Sequence, residues 1–440
     1  MKVLIPILAV VLAGCAATTS DKRHSKPDTL VAMAAPHSGE RAVSYAVGAN
    51  ASLDDLVKHA LVHHPSITAA EAKVRRLLAK VPQAESLPDP KFKLSSGAMA
   101  ETAAGRVNWM AGVEQALPFP GKLREMARAA GKEAEVAAAQ LEAVRLSVAS
   151  QVEQAYWNLY LAKRTTQITT QNRQALEAVR DSVDARVAAN QSSQDDQLRL
   201  ATESGKLEQT LIQARRAEAS ARSRLNALLN RPSGSDLPSP QFRTSGVRKD
   251  LKGLVSLAES QHPSVVAAGA SREAYQHRLN RAELERFPDF TLGVQHAAVS
   301  DSGLAPSANG RDQLFASIGV SIPLWQAPRK AKIEEARAGI DESTALIGAT
   351  RASLRHEVED AWQRAKSAES LITLFDKQIL PESQQSFDGV LTSYAAGKES
   401  FVDALDAWRQ LLAFQLQQAG NQAQLGQALA SLRKATGTHF

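Results

Sequence analysis

Residues 351–380 read RASLRHEVEDAWQRAKSAESLITLFDKQIL, with apolar or small residues at Leu354, Val358, Ala361, Ala365, Ala368, Ile372, Phe375 and Ile379. The steps run 4-3-4-3-4-3-4, the 3.5-residue repeat of a helix lying in a coiled-coil seam. The spacing predicts one very long helix from Trp325 to about Ala396, a stretch whose only prolines are Pro328 and Pro381. The same register occurs earlier at Val148, Val152, Ala155, Leu159 and Ala162. At an offset of 206, Val152-Glu153-Gln154-Ala155-Tyr156 lies over Val358-Glu359-Asp360-Ala361-Trp362. The chain therefore carries its longest helix twice.

The duplication extends outward from these helices. Leu56-Val57 and His64-Pro65-Ser66 match Leu254-Val255 and His262-Pro263-Ser264. Leu87-Pro88-Asp89 matches Phe287-Pro288-Asp289, and Leu117-Pro118-Phe119 matches Ile322-Pro323-Leu324. Ala189-Asn190, Ser193 and Asp196 match Ala396-Gly397, Ser400 and Asp403. We expect two repeats, 51–246 and 247–440, as halves of one structure. Aromatic residues make up only 5% of the 440, so a thin wall of closely approaching helices is expected rather than a thick globule. The net charge is +6, from 52 basic and 46 acidic residues interspersed along the helices. That pattern describes solvated faces and gives no nucleic-acid stripe.

Between the helices, two segments change to a period of two. Phe92 and Leu94 alternate with Lys91, Lys93 and Ser95, and Val107, Trp109, Ala111 and Val113 alternate with Asn108, Met110, Gly112 and Glu114. The second repeat has Phe290, Leu292 and Val294, then Leu314, Ala316, Ile318, Val320 and Ile322. Two β-hairpins are predicted, at about 90–116 and 289–322. Each run approaches the ~9–11 residues of a tilted membrane strand. Two hairpins cannot close a barrel alone, so strands in a membrane require several chains; a soluble sheet on a helical body is the other reading. Helical hairpins follow at 121–230 and 326–436. In each repeat the returning helix is too short, and the helix at 66–85 or 264–285 supplies the missing length if stacked end to end with it. His63-His64 is read as a polar helix end before Pro65, with Ser66 capping the next helix. Adjacent side chains on a helix face different ways and no third ligand stands near.

At the start, Lys2, the apolar run Val3–Ala13 and Gly14 read as an export signal over 1–14, too short to span a bilayer. Leu12-Ala13-Gly14-Cys15 resembles a lipobox, which would place a covalent lipid on Cys15, the single cysteine. Residues 15–50 then form a lipidated tether, and Ala16 after the cysteine resembles an outer-membrane address.

Over roughly 52–437 the chain resembles the TolC family of outer-membrane efflux channels. The resemblance rests on the duplication, the two matching hairpins, and Tyr394-Ala395-Ala396-Gly397 followed by Ser400, Asp403, Ala404, Leu405 and Asp406. Pro118-Phe119-Pro120-Gly121-Lys122 looks like a turn of the heavy-metal branch, the copper/silver and cobalt/zinc/cadmium channels. The resemblance implies a mainly α protein with a small β part: duplicated helical hairpins forming a periplasmic helical barrel, and four strands per chain in a twelve-stranded outer-membrane barrel of a homotrimer. It also implies a periplasmic adaptor and an inner-membrane pump of the RND type. Asn190 and Gly397 would be the hairpin tip turns, Asp403, Asp406 and Asp196 the pore constriction, and Tyr394 a tip-closing residue. The basic partner expected after the tip glycine is absent, with Lys398 and Glu399 there instead. Ser193-x-x-Asp196 and Ser400-x-x-Asp403 also read as helix capping boxes, so both uses stand open.

Two classes of function are expected to compete. One is a passive trimeric duct for metal ions or toxic small molecules, or for drugs or a secreted protein. The other is a pore-less periplasmic adaptor or scaffold lipoprotein. No Ser-His-Asp set, phosphate loop, zinc spacing or cofactor glycine pattern is found, so neither enzyme nor non-lipid cofactor is expected.

Overall fold

A computed structural model describes residues 48, 50–96, 101–102, 104–188, 192–243, 246–247, 249–301, 307 and 309–438. The signal, Cys15 and nearly all of the tether lie outside the described residues, as does Asn190.

The chain opens with α1 (Leu53–His63), α2 (Pro65–Leu78) and α3 (Lys80–Glu85). Three strands follow, β1 (Lys91–Ser96), the short β2 (Glu101–Thr102) and β3 (Gly105–Leu117). Then come α4 (Lys122–Ala188), of 67 residues, and the returning α5 (Gln194–Leu228). At 1.5 Å per residue α4 is about 100 Å long. The second series runs α6 (Leu251–Gln261), α7 (Pro263–Leu284), β4 (Asp289–Val299), β5 (Gln313–Ser321), α8 (Gln326–Leu374), α9 (Leu380–Ala395) and α10 (Phe401–Thr436).

The seam residues predict the packing well. Val148, Val152, Ala155, Leu159 and Ala162 are buried, as are Leu354, Val358, Ala361, Ala365, Ala368 and Phe375. Along its length α4 meets α2 and α3 first and α5 afterwards, so short and returning helices share one flank of the long one. The two series meet where α4 lies against α7 and α10. Ion pairs Lys132–Glu273 (2.7 Å) and Glu153–Arg433 (2.6 Å) cross that seam, as does a bond from Tyr160 Oη to Gln422 (2.5 Å). Small residues set the spacing. A Cβ on Gly426 would stand 2.1 Å from the Trp157 indole, and one on Gly339 would stand 2.3 Å from the Tyr275 ring.

Helix ends repeat between the two series. His64, not Ser66, is the N-cap of α2, and His262 is that of α7: each ring Nδ1 accepts the N–H two residues on, at 3.2 and 3.1 Å. Proline at the first helical position makes the arrangement possible, because its missing N–H needs no cap. Asn230 (φ 54°) ends α5 and Gly437 (φ 70°) ends α10, both left-handed, and the following N–H groups of Arg231 and Thr438 make the 6→1 bonds to Asn226 O and Arg433 O.

Two features depart from the expected helices. The helix expected over 66–85 is interrupted at Ala79, because Pro82 has no N–H to give the carbonyl of Leu78. The long helix of the second series is not simply continuous either. It passes through a π-helical turn, Phe375–Ile379, in which Leu380 N–H bonds to Phe375 O five residues back. Pro381 follows at once and cannot bond the carbonyl of Lys377, which favours the wider turn.

Replacing Gly426 with alanine drives a methyl group into Trp157. We expect Gly426→Ala to lower stability by about 1–3 kcal/mol, read from chemical denaturation of the detergent-solubilised protein. Gly420→Ala, where added bulk meets nothing within 4 Å, should not.

Candidate functional site

The strands form an antiparallel sheet in the order β1-β3-β4-β5, with β2 paired to the outer end of β3. Register decides what each face carries. Phe92, Val113, Val294 and Ala316 lie in one row, and Leu94, Ala111, His296 and Leu314 in the next. Gln115, Leu292 and Ile318, then Leu117, Phe290 and Val320, complete that face. The opposite face carries Lys91, Lys93, Glu114, Gln295, Thr291 and Ser317. Ile318 is 75% exposed and Phe92 67%, so the apolar face is uncovered in the single chain. A contiguous apolar face of this kind marks a surface made for something other than water. Among the described residues no helix is long and apolar enough to cross a membrane.

The far end of the molecule is built from the tips of two helical hairpins. Leu176 and Val183 of α4, Leu200 and Leu207 of α5, Tyr394 of α9, and Phe401, Ala404, Leu405 and Trp408 of α10 form one buried cluster. The turn after α9 uses Gly397 at φ 74°, with Lys398 N–H on Ser393 O and Gly397 N–H on Tyr394 O, both at 2.9 Å. This left-handed corner is where a residue with a Cβ would be strained.

Tyr394 is buried, and its basic partner comes from the other hairpin. The Arg186 guanidinium lies 4.5 Å from the centre of the Tyr394 ring, and its Nη1 donates to the Tyr394 carbonyl. Sequence reading sought that partner after Gly397 and missed Arg186. The available signal was a lone arginine in the last turn of α4.

Each candidate aspartate has a defined local role. Asp196 and Asp403 are the third residues of capping boxes: Ser193 and Ser400 hydroxyls accept their N–H groups, and their carboxylates accept the Ser193 and Ser400 N–H groups. Asp406 is exposed and ion-paired to Arg409 at 2.7 Å. Arg409 also reaches Glu203 of α5 at 2.6 Å, and Lys206 reaches the same carboxylate at 2.7 Å. Arg409 thus ties the two hairpins together and offsets part of the negative charge, a contribution that counting aspartates overlooks. Among the described residues no cluster of three His, Cys, Asp or Glu could hold a metal ion.

Burial alone would raise the Glu203 pKa, but the hydrogen bonds and charges of Arg409 and Lys206 outweigh it and hold the carboxyl below its ordinary value. A depressed carboxyl pKa stabilises the folded tip above the unfolded-state value, and that stability is lost as pH falls through the folded value. We expect acidification below the ordinary glutamate range to loosen the tip, read as faster hydrogen exchange in 200–207 and 401–409. Glu203→Gln should be looser at neutral pH and respond less to acid.

Comparison with known proteins places this geometry. The chain matches the outer membrane efflux protein family over residues 56–231 and again over 254–438. It is 24% identical over 411 residues to the cobalt-zinc-cadmium resistance protein CzcC of Cupriavidus metallidurans, covering 92% of this chain and 91% of that one. It is 25% identical over 374 residues to the cation efflux system protein CusC of Escherichia coli, covering 81% and 80%. Its fold is similar to the crystal structure of the outer membrane protein VceC of Vibrio cholerae, with a TM-score of 0.74 at 20% identity over 88% of this chain and 96% of that one. The duplicated helical hairpins, the sheet with one exposed apolar face, and a family match over both repeats make the chain a member of the outer membrane efflux protein family.

Proposed function

We propose that three copies form the outer-membrane duct of a metal-ion export system. The observation that carries this reading is the sheet: four strands with an exposed apolar face, a polar opposite face and two open edges, on a helical body. Three such sheets joined edge to edge give twelve strands, apolar outward and polar inward, and leave no edge in lipid. The long helices continue the tunnel into the periplasm, where an adaptor and an RND-type inner-membrane pump supply cargo and energy. The lipid on Cys15 anchors the tether beside the barrel. The duct performs no catalysis and needs no cofactor beyond that lipid.

Metal cargo is supported by the similarity to CzcC and CusC and by the turn Pro118–Lys122. At the tip, threefold symmetry gathers Asp403 and Asp406 of each copy, exposed and three residues apart on one helix face, around the axis. A carboxylate ring favours cations, and Arg409 moderates it. Arg186, clamped on Tyr394, holds the two hairpin tips together within each copy.

Purified protein in a planar lipid bilayer is expected to give discrete, cation-preferring conductance steps. Asp403→Asn/Asp406→Asn should shift the reversal potential toward non-selective; an unshifted potential in a folded trimer would remove the aspartates from selectivity. Arg186→Ala should raise the fraction of time open, and an unchanged fraction would free Arg186 from the gate. Cells lacking the chain should tolerate less cobalt, zinc, cadmium or copper salt; unchanged metal tolerance would overturn the cargo assignment.

A further inference from the structure

Inside one chain, the end of β3 and the start of β4 meet in a fitted junction. The Asp289 carboxylate accepts the Phe119 N–H at 2.7 Å and Lys122 Nζ at 2.8 Å. Lys122 Nζ also donates to Phe287 O at 3.1 Å, and the Phe119 and Phe287 rings stack at 4.5 Å. The two halves of this junction recur, apart, at the two sheet edges. Leu87-Pro88-Asp89 leads into β1 as Phe287-Pro288-Asp289 leads into β4, and Ile322-Pro323-Leu324 leads out of β5 as Leu117-Pro118-Phe119 leads out of β3. Here the two halves do not meet: Pro88 O takes Gln115 Nε2 and Pro323 O takes Arg329 Nη1 instead. Leu87 is 52% exposed and Leu324 71%. Among the described residues Asp89 has no hydrogen-bond or ion-pair partner. Lacking a carboxylate, the Leu324 N–H turns back on the Ile322 carbonyl at 3.0 Å.

The internal register can be transposed onto the open edges. Gln115 faces Leu292, and Val113 faces Val294. The repeat moves β3 onto β5 by 205 residues, as from Leu117 to Ile322, and β4 onto β1 by 200, as from Asp289 to Asp89. Gln115 and Leu292 then become Val320 and Phe92, while Val113 and Val294 become Ile318 and Leu94. All four residues produced lie on the apolar face. A slip by one residue would set Lys91 or Lys93 among them.

We propose that β5 pairs antiparallel with β1 of the next copy in the register Val320↔Phe92 and Ile318↔Leu94, and that Asp89 of that copy takes the Leu324 N–H as Asp289 takes that of Phe119. The partner is a second copy of this chain, because only it carries the missing half of the junction. Pro328 stands where Lys122 would repeat at the helix offset, so the nearby cations are Arg329 and Lys330. This inference rests on the trimeric reading above and fixes which residues close the ring.

The test is oxidative cross-linking of the full-length protein in its membrane. A Phe92→Cys/Val320→Cys variant is expected to give covalent dimers and trimers on denaturing gels without reductant, reversed by thiol. Each single-cysteine variant controls for Cys15 and should give none of the ladder. Phe92→Cys/Leu314→Cys, six residues off register, should also stay monomeric. Solution mass is measured in parallel. A trimer that cross-links off register but not at Phe92/Val320 would overturn this register and leave the trimer standing. A monomeric mass with no ladder would overturn both. A second variant, Asp89→Ala, should dissociate the trimer at lower temperature than the parent; unchanged dissociation would remove Asp89 from the junction.

Discussion

The constraint on which the structure turns is the unpaired backbone of two strand edges. Strands β1 and β5 each offer one row of N–H and C=O groups that the chain itself never satisfies. In water such an edge is a liability, and in hydrocarbon each unmet group costs several kcal/mol. The apolar face beside those edges, with Phe92, Leu292, Val294 and Ile318 uncovered, makes water the wrong solvent for this sheet. Both features fit the proposed trimer, with lipid on one face and strands of other copies at both edges. Helices are not under this constraint, because each closes its own hydrogen bonds. That difference explains why the helices of a single chain satisfy their own backbone while its sheet leaves two edges open.

The wall itself is held by closeness rather than bulk. Alanines dominate the buried faces of α4 and α8, and glycines stand where a ring from the next helix needs room, as Gly426 does under Trp157. The buried charges along the seams are paired across helices, as in Glu153–Arg433 and Glu203–Arg409. Such pairs are weak evidence of stability in themselves, but removing one partner leaves a buried charge unmatched. They therefore select one alignment of long helices that could otherwise slide by a turn. At the tips the same device joins hairpin to hairpin, through Arg186 on Tyr394 and Arg409 on Glu203.

Much of this was legible in the residues. The 3.5-residue spacing named the buried seam, and the period of two named the strands and their apolar face, because both periods follow from backbone geometry within one element. The capping boxes at Ser193 and Ser400 were visible for the same reason. What escaped depends on events between elements or on a missing N–H. Pro82 interrupts a helix that periodicity carries through, and Pro381 yields a π-helical turn where periodicity expects an unbroken seam. His64 and His262 cap through ring nitrogens that a search for serine passes over. Arg186 and Arg409 find their partners on neighbouring helices, and facing after many turns is not fixed by local spacing.

In the proposed trimer the sheet closes only between copies. The most direct measurement is the mass of the protein extracted from membranes in mild detergent, with the detergent contribution subtracted. Closure between copies predicts three chains per particle at all protein concentrations accessible to the method. A stable, folded single-chain particle would contradict it, because two open edges and an uncovered apolar face would then persist with nothing to meet them.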